Sequence, residues 1–273
     1  MLCRMSSIAS ALPSAARSLG KTALSKVPQV TVAFWIVKIC ATTLGETGGD
    51  ALSMTLNLGY AISTLIFLAF FALTLGGQLW SDRYRPTLYW LVVIATTTVG
   101  TTTSDYLDRT LGLGYVKSSI MLFCAVIAVL FVWRAATGTV AVDRITNRTN
   151  EFFYWLTILV SNTLGTALGD FTATTTGLGF ERGALVFGAL LAVVAAARYF
   201  TRIPGAVLFW AAYVLTRPLG ATLGDTLTKP HDAGGLNLDR ISSSIAIAVV
   251  MAIIVVVAPQ REANPAPLAR AER

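Results

Sequence analysis

Four aspartates recur at one fixed spacing, and their surroundings suggest a cation site. Each stands fifteen residues after the Trp of an aromatic-Trp pair, at the end of a polar motif in an otherwise apolar chain. The copies read TTLGETGGD, TTVGTTTSD, NTLGTALGD and RPLGATLGD. Hard cations prefer oxygen ligands, which carboxylate, hydroxyl and amide groups supply. The expected ion-binding residues are Glu46, Asp50, Asp105, Asp170, Asp225, Asn162, Thr42 and Thr97, with the five acidic residues as metal ligands. A polar helix end with a Gly-Asp turn is the alternative.

Two more ionisable positions lie in stretches that we expect to cross a membrane, where a charge is costly enough to suggest a function. Lys38 and Arg217 are expected to serve as internal counter-charges. Lys38 and Glu46 lie about two helical turns apart, so they could neutralise each other through Thr42. The alternative is an ion pair of Arg217 with Glu46 or Asp50 that only holds the helices together.

The motif should lie on helices, because its polar residues recur every four positions. Thr42, Glu46 and Asp50 line one face of the first predicted helix. Beside the polar stripe runs a stripe of small residues that allows close helix packing in lipid. It consists of Gly45/Gly49, Gly100/Ser104, Gly165/Gly169 and Gly220/Gly224. We expect the odd-numbered helices to pack together with the polar stripes inward and the even-numbered helices to face lipid. Pro218 should break or bend the seventh helix.

The composition is too apolar for a soluble globule. Hydrophobic residues make up 55% of the 273 residues and charged residues 13%, and the mean hydropathy is +0.67. Stretches that can cross ~30 Å of hydrocarbon can be drawn eight times. They cover 30–48, 59–79, 87–104, 115–134, 152–169, 183–200, 205–224 and 241–258. The predicted fold is all-α, a polytopic membrane protein of eight transmembrane helices, arranged as four tandem helical hairpins in two pseudo-symmetric halves.

The Trp spacing defines the repeats. These residues lie 55, 65 and 55 apart, so repeats one and three, and two and four, are each offset by 120 residues. The predicted division is a lead at 1–29, two-helix repeats at 30–85, 86–150, 151–203 and 204–258, and a tail at 259–273. We expect the lead to be cytoplasmic and disordered. Its basic, Ser-rich and acid-poor composition also suits an organelle transit peptide.

The basic residues predict the orientation. Lys and Arg outnumber acidic residues on the side that holds both termini and the links between repeats, so we expect this side in the cytoplasm. The net charge of +7 is then a consequence of topology and not a sign of nucleic-acid binding. The aromatic-Trp pairs fall at the inner helix ends, where an interfacial aromatic belt is expected. They are Phe34-Trp35, Tyr89-Trp90, Tyr154-Trp155 and Phe209-Trp210.

Signatures of other chemistry are absent from the sequence. It contains no phosphate-binding loop, nucleophile elbow, zinc-protease helix or dinucleotide fingerprint. Cys3, Cys40 and Cys124 lack metal-ligand spacing, and the single histidine, His231, falls in a predicted loop. We therefore expect no enzymatic activity, no cofactor and no nucleic-acid partner.

The repeat pattern resembles a known family. Four tandem two-helix units with an aromatic-Trp start and a TLGxTxGD-like core, as in Ala41 to Asp50 and Thr163 to Asp170, resemble a bacterial inner-membrane protein family built from repeats of unknown function. The resemblance covers residues 30 to 258 and implies eight helices in a bacterial inner membrane, without an activity to carry over. Repeat four departs most, through Arg217 and Pro218. A looser similarity links the segment from Glu46 to Asp50 to the Glu-x-Gly-Asp motifs of a manganese and calcium transporter family.

These features favour a secondary transporter or exporter of an inorganic cation, with divalent metals among the candidates. One half, residues 30–134, would rock against the other, residues 151–258. The alternatives are a pseudo-fourfold cation channel and a non-transporting membrane scaffold or stress-associated accessory protein, whose polar stripes serve helix association only. The expected partners are the lipid bilayer and a small inorganic cation, and the oligomeric state is left open.

Overall fold

The computed structural model describes residues 28–81, 83–138, 140 and 148–258, and these residues form an all-α protein. The tail at 259–273 and all but the last two residues of the lead lie outside the described residues. The helices are α1 (Val32–Asp50), α2 (Gly59–Trp80), α3 (Pro86–Asp105), α4 (Tyr115–Thr137), α5 (Arg148–Asp170), α6 (Phe180–Phe200), α7 (Gly205–Thr228) and α8 (Arg240–Val257). Each coincides with one predicted apolar stretch to within a few residues.

Five of these helices are long and apolar enough to cross a membrane, namely α2, α4, α5, α6 and α8. The chain is therefore a membrane protein with several apolar helices. The even helices α2, α4, α6 and α8 are largely exposed along their lengths, as lipid-facing helices are, whereas α5 is mostly buried. Helices α1, α3 and α7, which carry the polar motif in their C-terminal halves, are not among these five.

The odd helices α1, α3, α5 and α7 form a closed ring. Helix α1 packs against α3, α3 against α5, α5 against α7, and α7 against α1. The same close approach recurs at every seam. A Cβ added to Gly45 would lie closer than 3.0 Å to Thr97, and one added to Gly220 would meet Thr42 in the same way. The small-residue stripe therefore determines how closely neighbouring helices of the ring can pack.

Each even helix packs on the odd helix of the following repeat. Helix α2 lies against α3, α4 against α5 and α6 against α7, and α8 closes the circle by packing against α1. The two helices of one repeat meet chiefly at the turn that joins them. The repeats are thus interlocked, and none buries its apolar surface by itself.

Three of the four odd helices end in a π-helical turn directly after the motif aspartate. The turns are Ala51–Thr55, Tyr106–Thr110 and Phe171–Thr175. In each of these three repeats a Leu-Gly-aromatic sequence leads into the even helix. Its glycine has a positive φ, such as 74° at Gly114. Repeat four differs, because α7 continues to Thr228 and is followed by Lys229 and a 3₁₀ turn at His231–Ala233.

Pro218 does not break its helix. Helix α7 runs without interruption from Gly205 to Thr228 and contains Pro218 in its interior. The helix is therefore not broken, and a bend at Pro218 stays a prediction. Neighbouring helices press against this segment from both sides, since Gly165 of α5 approaches Pro218 and Gly220 approaches Thr42 of α1. Such packing can hold a proline inside a helix that it would interrupt in isolation.

Candidate functional site

The four motif aspartates come together at the end of the ring where the odd helices terminate, which we call the outer end, the opposite end being the inner end. Each side chain is almost fully buried, with about 1% of the residue exposed. The members of this carboxylate layer are Asp50, Asp105, Asp170 and Asp225. Fifteen residues of helix rise about 22 Å, so the layer lies far from the Trp pairs at the opposite end. The ring geometry places at one level the four groups that the repeat pattern singled out.

Two basic residues neutralise the carboxylate layer in pairs. Lys229 Nζ lies 2.6 Å from Asp50 Oδ2 and 3.1 Å from Asp225 Oδ1. Arg109 lies 3.1 Å from Asp105 Oδ1 through Nε and 3.6 Å from Asp170 Oδ2 through a terminal nitrogen. Each basic residue therefore joins an aspartate of its own repeat to an aspartate of a neighbouring repeat.

Sequence reasoning missed Arg109 and Lys229 as members of the site. Both stand nineteen residues after the Trp of their repeats, one helical turn beyond the motif aspartate. The equivalent residues of repeats one and three are Met54 and Thr174, which carry no charge. The presence of a basic residue at this position in alternate repeats could have identified them. A residue four positions after the aspartate lies on the same helix face and can pair with it.

Some carboxylate oxygen atoms have neither a hydrogen bond nor an ion pair among the described residues. They include Asp50 Oδ1 and Asp225 Oδ2, both buried. A further cation, Arg240, reaches Asp50 Oδ2 only at 3.6 Å. Ligand oxygen atoms of Glu46, Asp50 and Asp105 lie within 4.8 Å of one another. An ion that prefers oxygen ligands fits this donor set.

One turn deeper, a buried ion pair crosses the centre of the ring. Arg217 is fully buried, and both of its terminal nitrogens lie 3.1 Å from Glu46 Oε2. Its Nη2 also donates to the hydroxyl oxygens of Thr101 at 2.6 Å and Thr166 at 2.5 Å. One guanidinium therefore contacts residues from each of the other three repeats. The expected alternative, an ion pair between Arg217 and Glu46, is present.

The remaining predicted oxygen ligands lie in the seams between helices. Thr42 Oγ1 donates to backbone carbonyls and contacts Thr216 O of α7 at 3.1 Å. Thr97 Oγ1 contacts Ala41 O of α1 at 3.1 Å in the same arrangement. Asn162 Nδ2 donates to Thr96 Oγ1 at 3.0 Å. The structure therefore places Thr42, Thr97 and Asn162 away from the carboxylate layer and in contact with neighbouring helices.

Lys38 lies on the other side of the Arg217 level, toward the Trp pairs. Its Nζ is buried, has no hydrogen-bond partner among the described residues and stands 4.3 Å from the ring centroid of Tyr213. Glu46 pairs with Arg217, so the expected neutralisation of Glu46 by Lys38 does not occur. The unpaired amine is a second unusual feature of the interior, separate from the carboxylate layer.

The aromatic-Trp pairs close the inner end of the ring. The Trp of each repeat packs on the first aromatic residue of the preceding repeat, with centroid distances of 5.6, 5.3, 6.4 and 5.8 Å around the circle. We call these eight residues, Phe34, Trp35, Tyr89, Trp90, Tyr154, Trp155, Phe209 and Trp210, the aromatic layer. Trp90 and Trp155 are only 2% and 1% exposed. Five of the eight rings are buried, whereas Trp35, Phe209 and Trp210 are only partly buried. The rings therefore pack on one another at this end of the ring of helices, and their position at a membrane interface stays a prediction.

Comparison with known proteins identifies the repeat. The family model described as Repeat of Unknown Function (DUF347) matches residues 33–84, 88–139, 153–203 and 208–262, one segment for each aromatic-Trp pair. Neither a curated protein nor a solved structure matches the chain. Since the four matched segments together cover well over half of the sequence, the chain belongs to the DUF347 family and contains four tandem copies of its repeat.

Proposed function

We propose that this protein is a secondary transporter of an inorganic cation, without enzymatic activity, and that the carboxylate layer binds the transported ion. We place it in a bacterial inner membrane with eight spans and both termini in the cytoplasm, as the basic residues predict. The observation that carries the proposal is the convergence of four equivalent aspartates in a buried layer that retains unpaired carboxylate oxygen atoms. Such groups inside a membrane protein usually serve ion or substrate pathways.

The charge balance of the carboxylate layer and the Glu46–Arg217 pair favours an added cation. With all groups ionised, the four aspartates and Glu46 supply five negative charges, and Lys229, Arg109 and Arg217 supply three positive charges at ion-pair distance. Two negative charges are left, or one if the more distant Arg240 is included. A buried unpaired carboxylate is unfavourable. A divalent metal ion with carboxylate ligands, such as Mn²⁺, Mg²⁺ or Ca²⁺, fits this deficit.

The ion pairs at the carboxylate layer suggest how binding would be linked to movement. Arg109 belongs to the first half of the chain and reaches Asp170 of the second half, while Lys229 belongs to the second half and reaches Asp50 of the first. Both therefore join the halves at the outer end. A cation that takes over carboxylate oxygen atoms competes with these two bridges, so binding would allow residues 30–134 to rock against 151–258.

A pseudo-fourfold channel is a weaker explanation. An ion that followed the axis of the ring would meet the Arg217 guanidinium in its centre and then the aromatic layer. A channel needs a continuous path that an ion can enter and leave rapidly. Alternating access needs one closed end in each state, which agrees with a packed inner end.

A non-transporting scaffold is the second candidate. It is favoured by the ion pairs that each aspartate already makes with a basic residue of the chain. In a scaffold these pairs would serve helix association alone. Removal of one carboxylate would then reduce stability without affecting any ion flux.

Flux and binding measurements with charge-neutral variants test the proposal. Purified protein is reconstituted in liposomes, and uptake of a panel of monovalent and divalent cations is recorded for the wild type, Asp225→Asn and Asp170→Asn. We expect selective flux of one class of cation by the wild type. Each variant should bind that cation about tenfold more weakly or worse, because removal of groups that only support a metal ligand already costs this much.

The control is Asp232→Asn, which removes an exposed carboxylate from the loop that follows α7. Its flux should equal that of the wild type. Folded wild-type protein that moves none of the cations would contradict the transporter. Unchanged flux in both motif variants would show that the carboxylate layer is not the binding site, and a loss of stability alone would support the scaffold.

A further inference from the structure

Lys38 is a buried amine without a counter-charge. Its Nζ has no hydrogen-bond acceptor among the residues that the structure describes, and it lies over the face of the Tyr213 ring. Arg217, one helical turn beyond Tyr213 on α7, adds a repulsive positive charge. A permanent charge in this position would be costly. A lysine can instead exist as a neutral amine and bind a proton reversibly, which an arginine cannot.

Only one repeat carries this group. The equivalent positions, three residues after the Trp, are Val93, Ile158 and Tyr213, and all three side chains are buried. The packing of the repeat therefore does not require a charged side chain at the position of Lys38. A single basic residue at a position where the other three repeats carry uncharged side chains suggests a specific function, such as proton binding.

Three buried tyrosines lie at the level of Lys38 and in the aromatic layer. The hydroxyls of Tyr89 and Tyr154 lie 3.0 Å apart. Tyr213 lies beside Tyr154, and its hydroxyl makes no well-aligned hydrogen bond among the described residues. Hydroxyl groups can donate and accept at the same time, so they can pass a proton where packed aromatic rings exclude a metal ion.

The titratable groups around Lys38 come from several helices. Helix α7 presents Tyr213 and Arg217, α3 presents Tyr89, and α5 contributes Tyr154. On α8 the only titratable residue is Arg240 at the outer end. On α1 itself the thiol of Cys40 lies two residues away in the chain, and Glu46 lies two turns away and is paired with Arg217. No carboxylate among the described residues therefore forms an ion pair with the Lys38 amine.

We propose that Lys38 is the proton-binding residue of this protein, that the Tyr89, Tyr154 and Tyr213 hydroxyls connect it to the inner end, and that its proton and the cation of the carboxylate layer exclude each other. This inference rests on the proposed function. The amine takes up one proton and later releases the same proton, and no other bond changes. A protonated Lys38 repels Arg217, which contacts Glu46, so positive charge at Lys38 disfavours an added cation farther out. Linkage requires that the cation equally disfavours the proton.

Titration of the lysine side chains tests the proton site without transport. The chain has five lysines, Lys21, Lys26, Lys38, Lys117 and Lys229. In full-length protein with isotope-labelled lysine, the NMR signal of Lys38 is identified by its loss in Lys38→Met. We expect this signal to change to that of a neutral amine within the pH range in which exposed lysines stay charged. A Lys38 signal that remains that of a charged amine throughout overturns the proposal.

Proton-driven flux tests the coupling. Liposomes with and without an imposed pH gradient are compared for the wild type, Lys38→Met and Tyr213→Phe. The wild type should respond to the gradient, and its cation affinity should change with pH by about fivefold or more, the usual range for linked sites. Lys38→Met should lose both responses, and Tyr213→Phe should slow the proton-driven flux while the Lys38 signal still titrates. Met has the length and apolar character to occupy the site, so the variant should fold.

The two proposals fail in different ways. If Lys38→Met retains the full response to the pH gradient, the coupling role is wrong and cation transport stands. If the wild type moves no cation but Lys38 titrates, the proposed function is wrong and the coupling falls with it, although the amine still binds a proton. If Lys38 stays charged and the carboxylate variants abolish flux, only the inference about Lys38 is overturned.

Discussion

Arg217 is the residue that removes the fourfold symmetry of the interior. It occupies the position that Thr42, Thr97 and Asn162 hold in the other repeats. Those shorter side chains stop at the helix seams, while the arginine extends to the centre and contacts Glu46, Thr101 and Thr166. A planar guanidinium with five donors can serve several acceptors at once. The centre of the ring is therefore filled by one paired cation.

The pairing predicts strong coupling between two substitutions. Glu46→Gln and Arg217→Gln should each destabilise the protein by about 3–5 kcal/mol, because each leaves a buried charge without its partner. The double variant should lose much less than the sum of the two. Unfolding of the four proteins in detergent by increasing denaturant gives the coupling energy as a double-mutant cycle. Additive losses would show that the two charges do not stabilise each other.

At the residue level the sequence predicted which groups would meet but not all of their partners. The four aspartates could be predicted to converge, since they recur at one position of a repeat. The pairing of Lys38 with Glu46 was expected from their spacing along one helix, yet Arg217 reaches Glu46 from a helix 171 residues away in the chain. Contacts across the ring depend on the order of the helices, which spacing along one helix does not reveal.

At the scale of the elements, the helices themselves were predictable and their packing partners were not. Apolar length located all eight helices, and the small-residue stripes identified the faces on which α1, α3, α5 and α7 meet. The even helices are apolar on all sides, so nothing in their sequences distinguishes the odd helix of the same repeat from that of the next. Aromatic residues at a helix end likewise suit both an interfacial belt and a packed interior.

The start of α8 provides a pH-dependent contribution to stability. Asp239 caps this helix by accepting a hydrogen bond from Ser242 N at 2.8 Å, and this backbone hydrogen bond lowers the pKa of Asp239 below its ordinary value. A carboxylate whose pKa is lowered on folding stabilises the protein above its unfolded pKa of about 3.9. That contribution is lost as the pH falls through the lower pKa of the folded state.

Asp239→Ala should therefore lower the melting temperature at neutral pH. The difference from the wild type should shrink below about pH 4 and vanish only when the pH is below the lower pKa of the folded state. Melting is followed by circular dichroism in detergent over a series of pH values. Asp232→Ala is the control, because Asp232 is exposed and lies outside the cap of α8. A difference that stays constant down to low pH would show that the ionised carboxylate is not what stabilises the helix start.

At the scale of the whole molecule, the repeats form a closed circle. In a linear array of repeats the two terminal units each lack one neighbour. Here α8 packs against α1, Ser244 Oγ donates to Thr47 Oγ1 at 2.8 Å, and Arg240 approaches Asp50. The seam between the last and the first repeat uses the same glycine contact as the others. Stability should therefore depend on completing the circle and not on the continuity of the chain.

A divided protein tests this dependence. The segment between α6 and α7, residues 201–204, is exposed, so a chain break after Arg202 should leave the helix packing intact. Co-expressed fragments 1–202 and 203–273 should assemble into a complex that survives purification in mild detergent. Fragment 1–202 alone should be degraded or aggregate, because α1 loses both α7 and α8 as neighbours. A chain shortened after Asn237, which lacks only α8, should be intermediate, since it exposes the outer side of α1 but keeps the ring of odd helices. Stable, monodisperse fragment 1–202 would show that three repeats suffice and that closure of the circle does not determine the fold.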